Sequence, residues 1–265
     1  MRKTIVTPGA KGPSGIRLKA PWEIELLRKA NAVVAEVLAT LREIIEPGVT
    51  GWDLNRIAEE ICQKRGARPA FKGYRGYPFS LCVSVNEEVV HGMPLKEKVL
   101  KEGDIVSLDF GAIYEGYYGD AALTVAVGEV SAEAKRLMKV TEEALYLAIE
   151  KARIGNRLQD ISVTIQRHAE RHGYNVIRDY VGHGIGQALH EPPEVPNFGR
   201  PGKGPRLKAG MVLAIEPMVV TGGYEIEVLP DGWTAVTKDR GLAAHFEHSI
   251  VITAKGPEIL SRLEG

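Results

Sequence analysis

Cysteine is nearly missing from the chain: 265 residues hold only Cys62 and Cys82. That excludes a disulfide framework and a structural zinc site built from closely spaced thiolates, and it fits a reducing compartment. No run of about 18 apolar residues is present, which argues against a membrane-spanning helix, and the N-terminal stretch lacks the apolar core of a secretory signal. Net charge is absent too, with 34 basic residues against 34 acidic ones, so no global field favours nucleic acid or an anionic membrane. A cytoplasmic, membrane-free monomer is expected.

What is present is ordinary globular material, 44% apolar and 26% charged, enough for a sizeable core. Residues 1–15 form a flexible basic arm: Arg2 and Lys3, then Lys11, no acids, and Pro8, Gly9, Gly12 and Pro13. A solvated tail is its plain reading, and a weak electrostatic contact with RNA or a ribosome the sharper one. From Trp22 to Ile45 apolar residues recur at three- and four-residue steps and stop at Pro47-Gly48, and a second helix follows at Asp53 to Arg65, closed by Gly66. The grammar then repeats, with Ala132 to Ala152, a break at Gly155, and Asp160 to His172 closed by Gly173. A shift of 107 residues superimposes Gly48 on Gly155, Asp53 on Asp160 and Gly66 on Gly173. The expected architecture is therefore one α+β domain over 16–265, made of related halves at about 22–128 and 129–265, each packing helices on antiparallel strands. Sites tend to form where such halves meet.

The chemistry is concentrated in acids that sit in strand-like surroundings. In "SLDFGAIYEGYYGDAALT" the runs Val106–Gly111 and Tyr117–Val125 flank a turn at Tyr114-Glu115-Gly116, and a turn centred near 114 and 115 sets Asp109 opposite Asp120 on one face. Like charges so placed destabilise a sheet, and burial without a counter-charge raises the cost. Glu216 in "GMVLAIEPMVV" and Glu247 in "AHFEHSIVIT" repeat the anomaly. His183 lies between two glycines in "YVGHGIGQALHE", His190 follows, and His91 ends a strand in "VVHGMP". Singly, each reads as a strand-edge acid or a hydrogen-bonded core histidine. Jointly, Asp109, Asp120, Glu216 and Glu247 carry four negative charges, which two divalent ions would neutralise. The added histidine disfavours a single Ca²⁺, and a metal pair would bring a shared water towards neutral pKa.

The ordered set Asp109, Asp120, His183, Glu216 and Glu247 resembles the ligand set of the methionine aminopeptidases, over about Ile16 to Leu263. The resemblance implies a pita-bread fold of two pseudo-symmetric halves around two divalent ions, Mn, Co, Fe or Zn. Asp109 would hold one ion, His183 and Glu216 the other, and Asp120 and Glu247 would bridge them. The implied reaction removes the initiator methionine from nascent peptide N-termini with a small second residue, through a hydroxide shared by the ions. Glu216 would shuttle the proton, His91 would contact the scissile amide nitrogen, and His190 the carbonyl side. Phe71, Tyr74, Tyr77, Cys82, Leu189 and Trp233 match the family's substrate pocket, Leu189 replacing the aromatic residue of many members. Only 32 residues separate His183 from Glu216, which points to the type I class, and the absence of a Cys-rich extension points to its bacterial style. A proline-preferring aminopeptidase of the same fold, and a pita-bread protein that only binds peptides, histones or RNA, are the rival readings.

Overall fold

Among the described residues four α-helices start where a side chain accepts from an N–H at the helix entrance or a proline removes one. Helix α1 (Pro21–Glu43) opens on proline, with the Glu23 carboxylate accepting from the Ala20 N–H at 2.8 Å. Helix α2 (Gly51–Lys64) is capped by Thr50, whose hydroxyl accepts from the Asp53 N–H at 3.1 Å, so it starts two residues before the expected Asp53. Helix α3 (Ala132–Lys151) is capped by Ser131, and in α4 (Leu158–Arg171) Asp160 accepts from the Arg157 N–H at 2.7 Å. The structure, a computed structural model, describes residues 15–262, so the arm expected at 1–15 lies outside the described residues apart from Gly15. Among the described residues no helix is long and apolar enough to cross a membrane.

The strands in chain order are β1 (Arg68–Pro69), β2 (Leu81–Val85), β3 (Glu88–Val90), β4 (Ile105–Tyr114) and β5 (Tyr117–Ala126) in the first half. Then come β6 (Asn175–Val176), β7 (Gly182–Gly184), β8 (Glu191–Val195), β9 (Val212–Ile215) and β10 (Met218–Val220). The last are β11 (Ile226–Val228), β12 (Ala235–Thr237), β13 (Ala243–His245), β14 (Glu247–Thr253) and β15 (Gly256–Ile259). Nine of them make one sheet, ordered β1-β4-β5-β14-β9-β7-β8, with β2 also on β4 and β15 also on β14. Two small sheets, β13-β10-β6 and β11-β12-β3, flank it.

The 107-residue repeat is visible in the hydrogen bonds. Gly51 N–H donates to Lys98 O at 2.9 Å and Leu158 N–H to Pro205 O at 3.0 Å. Leu100 donates to Val49 O at 2.9 Å, and Leu207 to Asn156 O at 2.9 Å. Helices α2 and α4 coincide end to end under the same shift. The architecture is thus α+β in two pseudo-symmetric halves.

Period-2 alternation assigns the faces of the sheet. Leu108 and Phe110 of β4, Ala121 of β5 and Val83 of β2 pack with Val34 and Leu38 of α1 and Leu54 and Ala58 of α2. Leu213 and Ile215 of β9, with Ile250 and Ile252 of β14, pack under Leu137 and Leu145 of α3 and Ile161 and Ile165 of α4. Both helix pairs therefore cover the same face, and the residues between these positions point to the other face. Burying each Val, Leu, Ile or Phe among these stabilises by about 1.5–3 kcal/mol.

The β4–β5 hairpin corrects one expectation. Tyr114 pairs with Tyr117, and the two linking residues, Glu115 (φ 46°) and Gly116 (φ 82°), both have positive φ, as a type I′ turn requires. Asp109 consequently faces Ala122, and Asp120 faces Gly111. The register differs by two residues from the expected one, which keeps both aspartates on one face as diagonal neighbours and removes their direct opposition.

On the helix face, Gly119 lets α1 approach β5: a Cβ there would lie 2.7 Å from the Asn31 backbone nitrogen. Gly119→Ala should push α1 off the sheet and cost about 1–3 kcal/mol. Urea unfolding of the variant reads this directly, and an unchanged midpoint would show that the close approach is not needed.

Candidate metal centre

Five consecutive strands of the large sheet each bring one anomalous side chain to the face away from the helices. In spatial order these are Asp109 on β4, Asp120 on β5, Glu247 at the start of β14, Glu216 directly after β9, and His183 in β7. The registers make this unavoidable: Asp109 pairs with Ala122, Ala122 with Glu247, Ser249 with Ala214, and Ala214 with His183. Small residues at 122 and 214 leave room between the donors. The glycines around His183 serve the neighbouring strands rather than a ligand. A Cβ on Gly182 would sit 2.5 Å from Ala214 O, and one on Gly184 2.4 Å from Pro192 O.

The His183 ring is oriented by its own backbone. Its Nδ1 lies 3.0 Å from Gly184 O, and a carbonyl can only accept, so Nδ1 carries the proton. The Nε2 lone pair then faces Glu216 Oε1 at 3.6 Å and Asp120 Oδ2 at 3.8 Å. One donor atom from each of Asp120, His183 and Glu247 falls within 4.8 Å of the others.

Electrostatically the cluster is unbalanced. Asp109 Oδ1, Asp120 Oδ1 and Glu247 Oε1 are buried without any hydrogen-bond partner. Burial pushes the Asp109 carboxyl up to about 7. Burial first, then the neighbouring carboxylates, hold Asp120, Glu216 and Glu247 well above the usual carboxylate range. His183 supplies no positive charge, since burial and then His190 take it down to about 3. Among the described residues no Lys or Arg forms an ion pair with any of the four acids. Orphaned carboxylate oxygens together with one neutral imidazole fit hard or borderline divalent cations.

A cavity of about 360 Å³ opens over the cluster, and every residue expected from the sequence lines it. Tyr77 and Trp233 meet edge to face at 5.1 Å, and Phe71 and Leu189 are buried beside them. Cys82 pairs in register with Asp109, and burial pushes its thiol well up, so it is an apolar wall rather than a nucleophile. The Tyr74 hydroxyl lies 2.8 Å from His190 Nδ1, and the His190 and His183 rings are 4.3 Å apart. His91, just after β3, adopts φ 59°, stands edge-on to Tyr180 at 5.1 Å, and is brought by burial and then His190 to about 4. Burial and then Arg75 lower His190.

Sequence reasoning missed Tyr180 and Asp179 at the cavity wall, and His245, whose Nε2 lies 4.0 Å from Glu216 Oε2. The signal for His245 is its spacing two residues before Glu247; for Tyr180 there is none beyond its place in the quoted His183 stretch. A larger groove, about 890 Å³, runs between α1 and α3; Glu247 also lines it, whereas Asp109, Asp120 and His183 do not.

The chain matches the profile of Metallopeptidase family M24 over residues 25–254. It is 55% identical over 249 residues to a methionine aminopeptidase of Clostridium acetobutylicum, covering 94% of this chain and 100% of that protein. To methionine aminopeptidase 1 of Bacillus subtilis it is 51% identical over 245 residues, 92% of this chain and 98% of the relative. The crystal structure of methionine aminopeptidase from Thermotoga maritima superimposes with a TM-score of 0.93 at 56% identity, covering 94% of this chain and 100% of that one.

A cation entering the cluster competes with the proton on Asp109. The carboxyl's affinity for protons is raised, so the metal-free site is protonated below about pH 7, whereas the His183 lone pair is free down to about pH 3. Mn²⁺ affinity should therefore climb by about tenfold per pH unit for each proton displaced as pH rises towards about 7. Calorimetric titrations across that range measure it; an affinity that is flat with pH would contradict the protonated cluster.

Proposed function

The chain belongs to metallopeptidase family M24 and removes the N-terminal methionine of proteins and peptides by metal-dependent hydrolysis, and from this premise we propose how its residues divide the work. The pita-bread fold expected from the sequence is the one present. Asp109, Asp120, His183, Glu216 and Glu247 would hold a pair of divalent ions, drawn from Mn, Co, Fe and Zn. In this reading Asp109 would serve one ion, His183 and Glu216 the other, and Asp120 and Glu247 both. The observation that carries this is the row of five donors on, or directly after, five adjacent strands, with three carboxylate oxygens buried and unpartnered. Bound there, the ions supply Lewis acidity towards a carbonyl and acidify a water.

The remaining steps fall to the protein. Glu216 accepts a proton from the attacking water and delivers it to the departing amine, as suits a carboxylate whose surroundings favour the protonated form. His91, neutral near pH 7, addresses the scissile nitrogen. With the Tyr74 hydroxyl donating to Nδ1 of His190, the opposite ring nitrogen keeps its proton and can donate to the developing oxyanion. Phe71, Tyr77, Cys82, Leu189 and Trp233 enclose an apolar slot for an unbranched thioether side chain. Nascent peptide N-termini are the substrates, in the type I, bacterial-style class. The basic arm at 1–15 makes the weak ribosome contact in this reading, and the enzyme works as a cytoplasmic monomer.

Chelator-stripped protein should release no methionine from Met-Ala-Ser, and Mn²⁺, Co²⁺ or Fe²⁺ should restore release. Full activity in the stripped protein would end the proposal. Glu216→Ala should lose at least about 10²–10⁴-fold in kcat through combined loss of ligand and proton carrier, while Glu216→Gln, similar in volume, still folds. His91→Ala and His190→Ala should lower kcat with metal content retained. Metal loss in either would show that the histidine is misassigned.

A further inference from the structure

A second set of donors lies on the outer side of the second helix pair and takes no part in the reaction. His168 and His172 stand four residues apart in the last turn and C-cap of α4, so they share one helix face, and their ring centroids are 4.6 Å apart. His172 Nδ1 donates to His168 O at 2.8 Å, which leaves the Nε2 lone pair free. Glu143 arrives from α3, its Oε2 3.2 Å from His168 Nε2. One donor atom from each of the three lies within 4.8 Å of the others, and all three residues are half-buried.

We infer that Glu143, His168 and His172 form a separate site for one borderline divalent cation of the Zn²⁺, Ni²⁺ or Cu²⁺ kind. Two imidazoles at i and i+4 with a carboxylate is a donor set that such ions accept, with the fourth position open to water. Metal–ligand bonds of about 2.0–2.1 Å require the donors to close to about 3.4 Å, a movement open to half-buried side chains, two of them at the end of α4. A simple His168–Glu143 ion pair accounts for one imidazole but not for the second, whose Nδ1 is tied to the helix backbone and whose ring lies beside the first. The C-terminal end of α4 adds its negative dipole.

Opposing charges are near. Lys139 Nζ is 3.9 Å from the other oxygen of Glu143 but is exposed enough to swing away, and Arg136 is held by His172 O at 2.8 Å and by the Tyr174 ring. They hold the affinity below that of a closed structural site. Because α3 and α4 back the strands that carry Glu216 and Glu247, a bridging ion would brace the second half without entering the reaction.

Zn²⁺ equilibrium dialysis on untagged protein tests the site. Wild type should bind one ion per chain more than His168→Gln or His172→Gln, or bind that ion at least about tenfold more tightly. Glu143→Gln, which alters no helix-terminal residue, should weaken it as well. The imidazole nitrogen resonances of His168 and His172 should move together during that step, and all three variants should hydrolyse Met-Ala-Ser like wild type at limiting Mn²⁺. Identical Zn²⁺ stoichiometry and affinity in wild type and the folded variants, with unmoved His168 and His172 resonances, would overturn the inference.

Discussion

Negative charge buried without a protein counter-charge is the constraint on which this structure turns. Moving one carboxylate into a dry interior costs several kcal/mol even after relaxation, and four side by side repel one another as well. No sheet is stabilised by such a row. The stability has to come from the opposite face, where both helix pairs lay apolar side chains on alternate residues of the same strands. One face of the sheet supplies cohesion, so the other can hold groups that weaken the metal-free fold. Period-2 alternation is what lets a single strand such as β4 do both, with Leu108 and Phe110 in the core and Asp109 between them.

The duplicated architecture explains where the row falls. Asp109 and Glu216 are separated by 107 residues, the same shift that maps α2 on α4, so each half contributes its equivalent of one acid. Asp120 and Glu247 do not obey that shift. They lie on β5 and β14, the strands that pair across the junction of the halves through Glu247–Ala122 and His248–Ala121. The related acids thus stand on the strands outside this junction and the unrelated ones at it. Cations bound there would tie the halves together, and Asn31 of α1, accepting from the Asp120 N–H at 3.3 Å, links the seam to the helix layer.

Much of this was legible in the chain because each signal was local. Helix periodicity, the glycine stops at 66 and 173, and acids inside β-forming runs are readable within a few residues. The repeat was legible because punctuation recurs at one spacing. The hairpin register was not, because it depends on Glu115 accepting a positive φ beside Gly116, and a three-residue turn fitted the letters equally well. His245 was overlooked although its spacing from Glu247 was in view: a histidine becomes part of a site only when a remote strand delivers Glu216 beside it. The division of roles among His91, His190 and the pocket aromatics came from family resemblance, since composition and period do not distinguish a pocket wall from a core residue.

The surroundings of the cluster show what must be kept out as well as what must be supplied. A lysine or arginine reaching any of the four acids would neutralise it internally and remove a donor for a cation. The nearby basic side chains are held elsewhere: Lys98 bonds Glu88 at 2.6 Å and Val83 O at 2.8 Å, and the Arg75 guanidinium lies over the Tyr74 ring. The polar groups that do approach are histidines, and burial keeps His91 and His245 neutral near pH 7 by taking them to about 4 and about 3. A neutral imidazole can orient a carboxylate or donate to a substrate without competing for the charge that draws the metal. The same burial that makes the acids costly therefore also selects the partners that can sit beside them.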